Sequence, residues 1–316
     1  MTLTTPQPPA NQASSTQPAS TSSTTESSII NPLNQVRCHR NGFILTLSDL
    51  FNSPMATLIR SAMSGSDWGR NELRAYNIQV VTEDLVTFFG TDQLPPPTVR
   101  AAVLANESYP AAGLPNNDDR LFFRYMHEAM FHPAGEESAV GDFAAHLLEM
   151  IGYDQPDRLV RQRKDIPLYM CGSNVHAKTD VCVVDCSPEN KGILLLVQED
   201  KRYLEQGDPE PQVIAEAIAA FQTNNLRRAR AGQPTVNAQA LPAITMTGTA
   251  PTFYKVDVTS ALIEAIESAQ YPEHDTIVHK LVPPVQRPLE LEFHGMRPLD
   301  NRRIIFSCFE AFKQFL

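Results

Sequence analysis

TDVCVVDCSPENKGILLLVQEDK, residues Thr179 to Lys201, holds two runs of valine, isoleucine, leucine and cysteine around the turn-rich connection CSPENK. Short apolar runs bounded by turn formers predict strands, and the short connection predicts an antiparallel hairpin. The start of the first strand then lies beside the end of the second, which brings Asp180 toward Glu199 and Lys201. Side chains alternate along a strand, so Glu199 and Lys201 are expected on one face and Asp200 on the other. Charges at a strand tip also arise simply where a chain leaves the core, as a surface ion pair worth little.

Two carboxylates a few ångström apart repel, and a hard divalent cation relieves that repulsion. Mg²⁺ typically takes one or two carboxylates and keeps several waters. A metal held there can activate water and neutralise charge on a phosphodiester, with a lysine nearby to position the nucleophile or stabilise developing negative charge.

Working outward, IPLYMCG (166–172) predicts a further strand upstream. Before it, GEESAVGDFAAHLLEMIGYD (135–154) places Val140, Phe143, Ala144, Leu147, Leu148 and Ile151 at helical spacing. Downstream, Asp208 supplies an N-cap and Pro209 the first position of the helix PEPQVIAEAIAAFQTNN. Ala215, Ala219 and Ala220 would let that helix approach a sheet closely. LPAITMTG (241–248) and TFYKVDV (252–258) read as strands, TSALIEAIESAQ and NRRIIFSCFEAFKQFL as helices. The order α, β, β, β, α, β predicts an α/β fold: a three-layer mixed sheet with helices on both faces.

This combination resembles the PD-(D/E)XK nuclease-like superfamily, marked by an acid on one strand and acid-any-lysine on the next within a restriction-endonuclease-like αβββαβ core. Asp180 matches the first acid and Glu199-Asp200-Lys201 the second motif, with Thr179 where many members carry proline. The resemblance implies Mg²⁺ or Mn²⁺ held by Asp180 and Glu199, with Lys201 orienting water or stabilising the transition state. It further implies a glutamate on the preceding helix, Glu137 with Glu136 in reserve, and a polar residue on the following helix, Gln212. Phosphodiester hydrolysis of DNA or RNA is the activity implied; the fold also hosts inactive modules for protein or nucleic-acid binding. More narrowly, VQEDKR followed by DPEPQVIAEAIAAFQTNN looks like a group of uncharacterised fungal proteins. The likeness covers roughly residues 134–257.

The chain has 316 residues, 42% hydrophobic and 20% charged, with a formal net charge of −10. Such a balance excludes bulk attraction to nucleic acid or an anionic membrane, so polyanions would need local basic patches. Two clusters qualify: Arg158, Arg161, Arg163 and Lys164, and then Arg227, Arg228 and Arg230. Arg161, Arg163, Lys164, Arg227 and Arg228 are the candidates for phosphate contact; basic residues at a helix end also answer its dipole. Residues 1–31, rich in Ser, Thr, Pro and Gln, are expected to be a disordered tail. Residues 32–133 carry no trusted motif and are expected as an accessory region, with DLFNSPMATLIRSAM helical and YNIQVVT a short strand. Residues 134–316 would form the nuclease-like domain with C-terminal helices. Five cysteines, no secretory leader and no long apolar run predict free thiols in an intracellular protein, cytoplasmic or nuclear, that crosses no membrane. Cys171, His176, Cys182 and Cys186 lack zinc-knuckle spacing. HEAMFH (127–132) misses the helical spacing of a zinc protease, and no phosphate-loop, nucleophile-elbow or dinucleotide fingerprint occurs.

Overall fold

The computed structural model describes residues 59–131, 138–187, 192–199 and 208–316. Seven strands are present among them: β1 Ile78–Thr82, β2 Arg158–Met170, β3 Ser173–Asp185, β4 Ile193–Glu199, β5 Ala238–Thr247, β6 Ala250–Thr259 and β7 Thr276–Leu281. The longer helices are α1 Asn117–Phe131, α2 Ala139–Met150, α3 Pro209–Arg230, α4 Ser260–Glu267 and α5 Leu299–Phe312. Among the described residues, no helix is long and apolar enough to cross a membrane.

The strands form one mixed sheet in the order β1-β7-β6-β5-β4-β3-β2. β2, β3 and β4 run antiparallel in turn, joined first by the turn Cys171-Gly172, both at positive φ. β5 lies parallel to β4. Parallel neighbours need a long crossover, and α3 lies within it. Asp208 caps that helix by accepting from the backbone N of Glu210 at 3.1 Å, and Pro209 stands in the first turn. The capping prediction from sequence holds at this helix.

The sheet is covered on both faces. On one, α1, α2 and α5 pack over Val181, Val183, Leu195, Val197, Ile244 and Phe253. On the other, α3 packs over Cys182, Val184, Ile193, Leu196, Ala243 and Tyr254. Val213, Ile214 and Ile218 of α3 are fully buried; each such side chain contributes roughly 1.5–3 kcal/mol. Ala215, Ala217, Ala219 and Ala220 are equally buried and keep the helix close to the strands. The result is a mixed α/β architecture of three layers.

Alternation along β2 and β3 changes phase midway. Val160 and Val183 pack on the α2 side, whereas Ile166, Leu168 and Ala177 pack on the α3 side, although the strand pairing keeps its register. A strict period of two would have left them all on one face. The change falls at Arg163, which has φ of 51° and sits between the pairs Gln162↔Val181 and Lys164↔Thr179. Thr179 bridges the interruption, its Oγ1 lying 2.9 Å from the carbonyl of Val181 and 3.1 Å from that of Val197. Asp180 follows immediately.

Two local readings of the sequence need revision. Residues 59–63, the described end of the expected helix DLFNSPMATLIRSAM, carry no regular secondary structure. TIVHKL, not anticipated as a strand, is β7, and pairs in parallel with β1 from the expected accessory region. The segment 78–82 is thus an edge of the same sheet.

Candidate functional site

Asp180 and Glu199 meet because Val181 pairs with Val197, which leaves the two acids just beyond the last paired residues. The backbone N of Glu199 donates to Asp180 Oδ2 at 2.9 Å, and Gln198 Nε2 donates to the same oxygen at 2.8 Å. Glu199 follows Val197 onto the α2 side and is only 7% exposed. A rigid strand therefore holds one carboxylate, and two hydrogen bonds hold the other.

Both acids line a cavity of about 220 Å³ together with Ser138 just before α2, Gly141 and Asp142 of α2, and Gln162 and Arg163 of β2. The helix N-terminal end, the end of β4, the interior of β2 and β3 and one guanidinium thus face a common space, large enough for several waters. Hard carboxylate oxygens with room for water suit Mg²⁺ or Mn²⁺, which need few protein ligands. Among the described residues no three His, Cys, Asp or Glu side chains come close enough to ligate one ion. Among the described residues, the carboxylates lining this cavity are Asp180, Glu199 and Asp142.

Glu216 lies behind the pair, on α3. It has no exposure, and its Oε2 has no hydrogen-bond partner among the described residues. Gln212 Nε2 approaches Oε1 at 3.4 Å. Burial, reinforced by the negative charge of Asp180, pushes the Glu216 carboxyl well above its ordinary value, against smaller opposing contributions from Thr179 and Gln212. The neutral acid is the favoured form there. Gln198 is 1% exposed, and its Oε1 likewise has no partner among the described residues.

Of the residues expected at the site, Asp180 and Glu199 are brought together. Gln212 is two links away, touching Glu216 rather than the cavity. Glu136, Glu137, Asp200 and Lys201 lie outside the described residues. The five expected phosphate contacts separate: Arg163 lines the carboxylate cavity, whereas Arg161, Lys164, Arg227 and Arg228 line another. Asp142 was not anticipated as a site residue, and Glu216, like Gln212, reads equally from the sequence as a site residue or as part of the polar stripe of an amphipathic helix. Each had a signal in the sequence, an acid set within an apolar helical run: AVGDFAA for the first and VIAEAIAA for the second.

The sequence matches no known family model and no curated protein.

Proposed function

We propose that the chain is a metal-dependent phosphodiesterase of PD-(D/E)XK type, acting on DNA or RNA. The observation that carries this reading is the Asp180–Glu199 pair, locked where the end of β4 meets the interior of the antiparallel β3 and open to a small cavity. The order α2-β2-β3-β4-α3-β5, with β5 parallel to β4, supports the restriction-endonuclease-like core. A bound Mg²⁺ or Mn²⁺ would supply charge neutralisation and an acidified water. Asp180 and Glu199 would hold that ion, and Arg163 would meet a phosphate entering from β2. Lys201, two residues beyond Glu199 in the motif, would orient water or stabilise developing charge.

A catalytically silent binding module is the second reading. It is favoured by one observation: Asp180 Oδ2 already serves two internal hydrogen bonds and so has a structural duty independent of metal. Cleavage of a panel of single- and double-stranded DNA and RNA, with Mg²⁺ or Mn²⁺, separates the two. The nuclease reading expects activity that falls on the order of a hundredfold or more in Lys201→Ala, with folding intact by circular dichroism. It is overturned if wild type and variant cleave equally. Absence of both cleavage and Mn²⁺ binding in the wild type selects the silent module.

A further inference from the structure

The basic residues set apart from Arg163 converge on a cavity of about 780 Å³ at the far end of α3 and β4. Arg161 and Lys164 reach it from β2, and Arg227, Arg228 and Arg230 from the last turns of α3. Among the described residues, no carboxylate lies within ion-pair distance of Arg161, Lys164, Arg228 or Arg230. The acid in the lining, Asp185, accepts from the backbone N of Ser187 at 2.8 Å.

Helix-dipole compensation accounts for cations at the end of α3, but not for the two that come from a strand. Gathering like charges is unfavourable unless an anion joins them, and the chain as a whole is strongly acidic. Their field reaches the sheet: burial pushes the Cys182 thiol up to about 11, while Lys164, Arg161 and Arg227 oppose the rise.

The rest of the lining narrows the ligand. Leu159, Val184 and Leu194 give the cavity an apolar wall. Asn224 is fixed there, donating to the carbonyl of Ile193 and accepting from its N–H at 3.0 and 2.8 Å. The volume falls in the range of small-molecule sites, roughly 300–1,000 Å³. Planar guanidiniums suit paired phosphate oxygens, and an aliphatic wall suits the face of a base.

The cavity is distinct from the carboxylate pair. Helical rise puts Arg228 about 18 Å along α3 from Glu216, and strand rise puts Leu194 about 17 Å along β4 from Glu199. We propose that this cavity binds a nucleotide carrying two or more phosphates, independently of whether the carboxylate pair hydrolyses anything.

Calorimetry on the full chain, without divalent metal, tests this with ATP, pyrophosphate and a single-stranded oligonucleotide lacking terminal phosphates. ATP and pyrophosphate are expected to bind. Both should weaken at least tenfold in the double variant Arg161→Ala, Arg228→Ala and in the separate variant Arg228→Glu, each folded by circular dichroism. Asp180→Asn should leave both affinities within twofold. Absence of ATP and pyrophosphate binding by the wild type overturns the proposal. So does binding that Asp180→Asn weakens as much as the arginine variants do. Binding of the oligonucleotide alone overturns it too, and assigns the cations to a strand.

Discussion

Glu216→Gln makes the sharpest test of the electrostatics around Asp180. In the folded chain this carboxyl is fully buried, with one oxygen unpartnered among the described residues, and its pKa is raised by burial first and by Asp180 second. In the unfolded chain it titrates near the ordinary glutamate value, about 4.3. Above that pH, and until the raised value is reached, the folded state binds a proton that the unfolded state has released. Stability therefore falls as pH rises through this window, by up to about 1.4 kcal/mol per pH unit for one proton. Glutamine has the same shape and no titration, so it removes that slope. Urea unfolding of both proteins at pH 5, 6 and 7 gives the difference in ΔG at each pH, and groups common to both cancel. The variant should gain on the wild type by about 1 kcal/mol or more between pH 5 and 6. Adding Asp180→Asn should narrow the window, because it removes the second cause of the raised pKa. A stability difference that stays constant over the three pH values refutes a neutral Glu216.

Three further outcomes concern packing and buried hydrogen bonds. Arg302 is fully buried and donates to the carbonyls of Met296, Val103 and Glu107 at 2.8, 2.7 and 2.8 Å; Arg302→Leu should cost roughly 4 kcal/mol or more in urea unfolding. Lysine at 302 should recover little of it, since a point charge cannot span those acceptors; a loss under about 1 kcal/mol contradicts both statements. Asn224→Leu removes both partners of the Ile193 backbone and should lower stability by about 2–3 kcal/mol, with no loss pointing to a substitute partner. Gly65→Ala places a Cβ 2.8 Å from Ala177 Cβ, an overpacking worth roughly 1–3 kcal/mol. Ala177→Gly in the same chain should recover most of the Gly65→Ala loss, and purely additive losses would locate the strain elsewhere.

Much of the site was legible because its residues lie close in sequence. Asp180 and Glu199 belong to consecutive strands, so hairpin geometry alone brings them together. The cap at Asp208 and the alanine face of α3 are equally local signals. What escaped depended on distant partners or on one backbone angle. TIVHKL is six residues long with an irregular burial pattern, and its meaning as a strand comes from neighbours far along the chain. Its β-branched residues and the following VPPVQRP were the available hints. Arg161 and Arg163 share a parity and were expected to act together. The left-handed conformation at Arg163, a non-glycine residue, sends them to different cavities, and composition gives no warning of it. Glu216 looked like part of a polar stripe, because helical spacing cannot show that the helix is covered on that side as well.

The edge pair β1–β7 has a consequence for how the chain comes into being. Ile78 pairs with Thr276, so roughly two hundred residues separate the partners. At synthesis rates of about 5–20 residues per second, β1 leaves the ribosome some 10–40 seconds before the strand it pairs with exists. During that interval its donors and acceptors face water or other chains. The sheet closes at this edge only after β7 has emerged. Any premature stop before β7 therefore releases a chain with an exposed strand of its own and an unfilled edge at β6.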